Sequence, residues 1–212
     1  TNISSYNNLQ YHLPSGIIPA GGTFKVAYSP NGNSVANASG NAGGAQTTIN
    51  SVEEYAVTFA PTDALYVGTS YFKRNETGTV GQNQESGSLV TKYTQGPLSL
   101  GVGVTRVAVR KAAGSETEYT DGYSNKAASI GYAVNDDLSV SFARENSAKA
   151  VRLKNLTEGK TGSDVEMEID TIQAAYTMGG MTISVSNKSV DNDSYTLDKK
   201  TKETLLAFAM AF

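Results

Sequence analysis

The sequence predicts an all-β fold, a single antiparallel transmembrane β-barrel domain that occupies residues 1–212. Two observations favour this fold class. Apolar and polar residues alternate in eleven segments, as they do in strands whose two faces meet different surroundings. The connections between these segments are alternately short turns and long polar loops, which is typical of bacterial membrane barrels and not of soluble sandwiches.

The composition agrees with this class and excludes several others. The chain has no Cys, which rules out disulfides and thiolate metal sites, and its net charge of −3 gives no reason to expect a nucleic-acid partner. No run approaches the roughly 18 apolar residues that a membrane-spanning helix needs. The mean hydropathy of −0.31 would ordinarily indicate a soluble protein. Membrane strands are an exception, because lipid-facing and lumen-facing residues alternate and average to a polar value.

The first half of the chain supplies five predicted strands. In each of them the apolar residues share one parity and so point to one face of a sheet. A Pro/Gly-rich turn separates the first two strands, a long Gly/Asn/Ala/Ser loop follows the second, and the turn PTD joins the third to the fourth. These strands read NLQYHL, TFKVAYS, EYAVTFA, ALYVGTSYFKR and SLVTKYT.

The second half supplies six more, with short turns at Gln95-Gly96, at 135–137 and at Gly179-Gly180. Two of these strands change phase, one between Val104 and Val107 and the other between Ile169 and Ile172. A β-bulge explains such a change, and so does a strand that has risen above the bilayer, where facing no longer matters. The six strands read PLSLGVGVTRVAVR, KAASIGYAV, LSVSFAR, VEMEIDTIQAAYTM, MTISVSNKSV and TLLAFAMAF.

The last strand combines a bulky apolar face with a face of alanines. Its large side chains are predicted to face the membrane or a neighbouring protomer, with the last of them at the periplasmic rim; they are Leu206, Phe208, Met210 and Phe212. The pattern resembles the closing strand of bacterial outer-membrane barrels, which ends in Phe. If this strand runs down to the periplasm, every long loop lies outside the cell.

A further resemblance concerns the first thirty residues. The runs NNLQYHLP and GIIPAGGTFKVAYSP resemble the segment that follows the constriction loop in general Gram-negative porins, through Asn8, Tyr11, Pro14, Gly22 and Tyr28. The resemblance implies a barrel of sixteen strands, a homotrimer in the bacterial outer membrane in contact with lipid and lipopolysaccharide, and passive diffusion of small hydrophilic solutes and ions. Counting back from Phe212, we expect five strands and the constriction loop to be missing from this sequence.

Charged residues on the parity opposite the apolar stripe are predicted to line a water-filled lumen. A charge that faces lipid at mid-depth costs about 2–4 kcal/mol, so charge is strongly favoured on the inner face. Arg106 belongs to this set only if its strand contains a bulge. The predicted pore-lining residues are Lys25, Glu54, Arg74, Lys92, Arg106, Glu166 and Lys188.

Enzymatic and metal-binding features are weak. The one histidine, His12, lies in an alternating strand without a nucleophile motif, so we expect a polar lumen residue and no enzyme. The run DNDS at 191–194 lacks the Gly and the distal Glu of a calcium loop, and we expect neither metal nor cofactor. Two other functions stay open, namely a twelve-stranded outer-membrane barrel with an enzymatic or secretory role and a soluble β-sandwich adhesin.

Overall fold

The computed structural model describes residues 8–30, 49–76, 80–112, 118–153 and 165–210. Within these ranges, eleven antiparallel strands form one open sheet, two short strands form a second sheet, and a 3-10 turn covers Asp193–Tyr195. The strands are β1 (Leu9–His12), β2 (Thr23–Ser29), β3 (Ile49–Thr62), β4 (Leu65–Glu76), β5 (Val80–Gln82), β6 (Gln84–Gln95), β7 (Leu98–Ala108), β8 (Lys111–Ala112), β9 (Glu118–Ala133), β10 (Leu138–Leu153), β11 (Glu166–Met178), β12 (Met181–Asp191) and β13 (Lys200–Met210).

The large sheet confirms the eleven predicted strands and their antiparallel order. Its strands pair in the order β1-β2-β3-β4-β6-β7-β9-β10-β11-β12-β13, so every strand is hydrogen-bonded to its neighbours in sequence once the two short strands are left out. Glycine makes the tight turns possible: Gly96, Gly179 and Gly180 have φ of 54°, 56° and 85°, where a side chain would be strained. The result is a simple meander with β1 and β13 at its edges.

Two features extend beyond the predicted strands. β9 begins at Glu118 and β10 ends at Leu153, so this hairpin is much longer than its alternating part. The second sheet joins two neighbouring connections, since β5 lies between β4 and β6 and β8 lies between β7 and β9. Val80 pairs with Ala112 there, and Gln82 with Lys111. Both strands are too short and polar to have been recognised by alternation.

The hairpins are displaced along one another in a constant sense. A row of paired residues that starts at Leu65, the first residue of β4, meets β7 at Leu100, β10 at Phe142 and β12 at Asn187. These positions lie two, four and six residues from the first residue of their strands. Each hairpin is therefore shifted by two residues relative to the previous one. Such a regular stagger is the shear that accompanies strand tilt in β-barrels.

The structure excludes a bulge as the cause of both phase changes. The pairing of β7 with β6 and β9 is continuous from Leu98 to Ala108, and the pairing of β11 with β10 and β12 is also continuous. Register shifts occur elsewhere, in the β3–β4 pairing and between Ala150 and Val151. The apolar residues therefore change face because the pattern changes, while the strands remain regular.

The sheet has almost no interior. In the described ranges the buried hydrophobic residues are Ala27, Val52 and Val190, and Phe72 packs against the first two. Many large apolar side chains are exposed, including Val102 at 59% and Phe208 at 64%. Within these ranges, no helix has both the length and the apolar character needed to cross a membrane. The described residues thus form a single layer whose apolar face is uncovered.

Candidate functional site

One face of the large sheet, here called the apolar face, carries the same sequence of side chains on several strands. On each of these strands we count every second residue, beginning at the end with the short turns. The first four residues counted are uncharged, and the fifth, which lies eight positions from the first, is charged. The cross-strand pairing places all of these residues on the same face. The four strands that repeat this pattern are β4 (Leu65, Val67, Thr69, Tyr71, then Lys73), β7 (Leu98, Leu100, Val102, Val104, then Arg106), β11 (Met178, Tyr176, Ala174, Ile172, then Asp170) and β13 (Met210, Phe208, Leu206, Thr204, then Lys202).

Tyrosines mark both margins of this uncharged band. Tyr93, Tyr132 and Tyr176 lie near the short turns, whereas Tyr55 and Tyr71 lie next to the first charged residues and stack with ring centroids 6.4 Å apart. All five are on the apolar face. Tyrosine is favoured where an apolar surface meets water, because its ring is apolar and its hydroxyl is polar.

Beyond the band, the apolar face carries a network of ion pairs on β10 and β11. Arg144 donates two hydrogen bonds to Asp170, from Nε at 2.7 Å and from Nη2 at 2.6 Å, and Nη2 also lies 3.2 Å from Glu168. Asn146 donates to Glu166 at 2.9 Å. These side chains are partly exposed, so the network fits a solvated surface rather than a core.

The opposite face, here called the polar face, is lined by small and polar residues. Hydroxyl pairs cross it between neighbouring strands: Thr23 with Thr58 at 2.6 Å, and Ser70 with Ser88 at 2.8 Å. Glycine, alanine, serine and threonine dominate its central strip, which includes Gly101, Gly103, Ala127, Ser129, Gly131, Ser141, Ala143 and Thr171. A face of this composition needs water, because it offers little apolar surface for packing.

Five of the seven predicted lumen residues lie on the polar face. Lys25 pairs with Ala56 and with His12, Arg74 pairs with Val52, and Lys92 pairs with Gly101. The other two are Glu54 and Lys188. Lys92 is at the level of the uncharged band, since its neighbours Thr91 and Tyr93 point to the apolar face.

Arg106 and Glu166 require a correction, because both lie on the apolar face. Arg106 shares its face with Val104, since β7 has no bulge. Glu166 shares its face with Ile172, and the apolar residues Met167 and Ile169 point to the polar face instead. The sequence prediction used Met167 and Ile169 to fix the phase of this strand, but these residues lie beyond the band where alternation holds.

The predicted membrane-facing residues of the last strand lie on the apolar face. Leu206, Phe208 and Met210 pair with Val185, Ile183 and Met181, and they are 57%, 64% and 62% exposed. Phe212 is outside the described residues.

The connection between β12 and β13, residues 192–199, folds over the polar face. The Tyr195 hydroxyl lies 2.7 Å from Ser147 Oγ on β10, and the Tyr195 ring packs on Tyr123 of β9 with centroids 5.5 Å apart. Ser147 is 3% exposed and donates to Asn125 Oδ1. No feature of the sequence indicated this contact, because it joins residues 48 positions apart through a polar loop.

This connection is also internally bonded. Lys199 Nζ lies 2.9 Å from Asp193 Oδ2, which also accepts a hydrogen bond from Thr201 at 2.8 Å. These partners, with Lys199 the strongest, lower the pKa of Asp193 to about 2. Asn192 donates to the Glu166 carbonyl at 2.8 Å and ties the loop to β11.

Among the described residues, His12 and the acidic side chains form no recognisable reactive site. His12 lies on the edge strand β1 opposite Lys25. The described residues contain no cluster of three or more His, Cys, Asp or Glu arranged to hold a metal ion. Comparison with protein-family models and with curated proteins gave no match for this chain.

Proposed function

We propose that the sheet is part of the wall of an outer-membrane porin, a sixteen-stranded β-barrel through which small hydrophilic solutes and ions diffuse passively. One observation carries the proposal. One face of the sheet presents a band of uncharged residues, and the other presents small and polar residues with charged side chains among them, such as Lys92 and Lys188. A lipid-facing wall around a water-filled lumen requires this combination.

The height of the band supports a membrane location. Eight residues of strand rise about 27 Å, which corresponds to about 20 Å along the membrane normal at a tilt of about 40°. This value is close to the roughly 25 Å apolar band of outer-membrane barrels. The tyrosines at both margins of the band also support a membrane location. On β4, β7, β11 and β13 the first charged residue of the apolar face lies at the same distance, eight positions, from the end with the short turns.

The layer arrangement argues against a soluble sandwich. A sandwich covers the apolar face of each sheet with a second sheet about 10 Å away. Here eleven strands belong to one sheet, and many large side chains of its apolar face are exposed in the part of the chain that the structure describes. Lipid is the partner that removes this surface from water without a second layer.

Closure of the barrel is a further part of the proposal. Neighbouring strands of the sheet are antiparallel, and β1 and β13 are the first and the eleventh strand in its order. The two edge strands therefore run in the same direction. An antiparallel closure therefore requires an odd number of additional strands between them. The sixteen-stranded barrel supplies five, and a homotrimer in contact with lipid and lipopolysaccharide follows from the same proposal.

Charge on the polar face provides the selectivity of the proposed channel. This face carries basic and acidic side chains; they include Lys25, Arg74, Lys92, Lys188, Glu54, Glu145 and Glu203. Charges fixed along a water-filled passage attract counter-ions and repel ions of the same sign. We therefore propose that Lys92, at the level of the uncharged band, is one of the residues that set ion preference.

Planar-bilayer recordings of the full protein test the proposal. We expect ohmic conductance, and we expect a charged thiol reagent to reduce it in Lys92→Cys, because that side chain faces the lumen. The matched control is Thr91→Cys, one residue away on the apolar face, where the reagent should have no effect. The chain has no other cysteine. Absence of conductance in a properly folded preparation would refute the proposed function.

A further inference from the structure

The connection 192–199 is held in a strained conformation. Asn192, Ser194, Tyr195 and Asp198 all have positive φ, between 53° and 62°, although none of them is glycine. Asn and Asp adopt this left-handed conformation more readily than other side chains, so Ser194 and Tyr195 are the residues that most need support from their surroundings. The Asp193 contacts and the Asn192 bonds hold the loop from within and from β11. The contacts of Asn192 and Asp193 thus stabilise this conformation of the loop.

This shape directs Tyr195 across the polar face. Ser147 has one hydroxyl proton and donates it to Asn125 Oδ1, so Tyr195 must be the donor in its 2.7 Å bond to Ser147. The ring of Tyr195 then reaches past β11 to Tyr123 on β9. These two contacts of Tyr195, with Ser147 and with Tyr123, are here called the Tyr195 anchor. The anchor reaches across β11 and β10 to β9 and covers Ser147, which is buried although it belongs to the polar face.

We propose that residues 192–199 form an inward-folded constriction of the channel, in which the Tyr195 anchor holds the loop over the polar face and reduces the width of the passage at its long-connection end. The inference rests on the proposed function, since only a water-filled passage can be narrowed. It assigns this loop to solute size selection.

Removing the anchor should widen the passage. We expect Tyr195→Ala to raise single-channel conductance and to shift upward the size of the largest polyethylene glycol that enters the pore, because the loop loses both its ring contact and its hydrogen bond. Tyr195→Phe keeps the ring on Tyr123 and loses only the hydrogen bond, so its effect should have the same sign and be smaller. Leu197→Ala is the matched control, because Leu197 is in the same loop and is 70% exposed.

The outcomes separate this inference from the proposed function. If the unaltered protein does not conduct, the proposed function fails and the constriction fails with it. If it conducts and both Tyr195 variants match it in conductance and size limit, the constriction alone is refuted. Heat-modifiable migration in gel electrophoresis identifies the folded preparations. If Tyr195→Ala does not fold, Tyr195→Phe, which removes only the hydrogen bond, tests the constriction in its place. A rise in Leu197→Ala equal to that in Tyr195→Ala would also contradict the role of the anchor.

Discussion

The two ends of the sheet follow different rules. At the end with the short turns, the large apolar side chains lie mostly on one face, as Leu98, Leu100, Val102 and Val104 do on β7. At the end with the long connections, Arg144 and Asp170 form ion pairs on the apolar face, while Met167 points to the polar face. β7 and β11 pair regularly through both regions, so a backbone irregularity does not cause the change of pattern in these strands.

This difference shows where the surroundings constrain the sequence. Alternation is necessary where one face meets lipid and the other meets water, because a charge costs far more on the first face. Where both faces meet water, either face accepts either kind of residue. The height at which alternation ends is therefore an internal marker of the proposed membrane boundary, near Lys73, Arg106, Asp170 and Lys202.

The largest expected effect comes from a charge placed within the band. Val102→Lys puts an ammonium group on the apolar face at mid-band and should destabilise the protein in lipid vesicles by about 2–4 kcal/mol. Thr105→Lys, three residues away on the polar face, is the control and should be nearly neutral. Urea unfolding of the vesicle-embedded protein measures both. Equal losses from the two variants would contradict the assignment of the faces.

The next effect concerns ion selectivity and uses the corrected position of Arg106. Lys92→Glu should shift the reversal potential under a salt gradient toward cation preference, because it reverses a charge on the proposed lumen wall. Arg106→Glu changes the same charge on the opposite face and should leave the potential nearly unchanged. A larger shift from Arg106→Glu would mean that the apolar face, and not the polar face, lines the water-filled passage.

Sequence reasoning succeeded where the surroundings constrain the residues. The eleven strands and the turns at Gly96 and Gly179 could be predicted, because local alternation and turn chemistry determine them. The faces of Arg106 and Glu166 could not, since Val107 and Met167 were used as markers beyond the region where alternation holds.

The remaining features depended on contacts that leave no local pattern. The Tyr195 anchor and the β5–β8 pairing join segments far apart in sequence through polar side chains or short strands. The start of β9 at Glu118 was missed because its first residues do not alternate. Long-range pairing of this kind is decided by the three-dimensional arrangement and not by residue spacing.

A smaller effect is expected from acid on the loop 192–199. The folded pKa of Asp193 is about 2, below its ordinary value of 3.8, because Lys199, Thr201 and Ser194 stabilise the carboxylate. Its contribution to loop stability is therefore complete above about pH 4 and is lost as pH falls through 2. Pepsin cleavage within 192–199 should increase over this interval. Asp193→Asn should be cleaved readily at pH 4 already, and identical profiles for the two proteins would contradict the role of Asp193.

The smallest effect is expected from the ion pairs beyond the band. Arg144→Gln removes the bidentate contact with Asp170, and we expect only a slight fall in stability that salt reduces further, because the pair is partly exposed. A double-mutant cycle with Asp170→Asn in vesicles measures the coupling. A large, salt-independent coupling would mean that the pair is shielded from water, which contradicts the proposed boundary.

Single cysteines along β7 test the two-faced wall most directly. In vesicles, a water-soluble thiol reagent should label cysteines at Ser99, Gly101, Gly103 and Thr105 and should leave those at Leu98, Leu100, Val102 and Val104 unlabelled; at Arg106 labelling should return. The protein has no cysteine of its own, so each signal belongs to one position. Equal labelling at odd and even positions would contradict the account, because it would mean that both faces of the strand meet water.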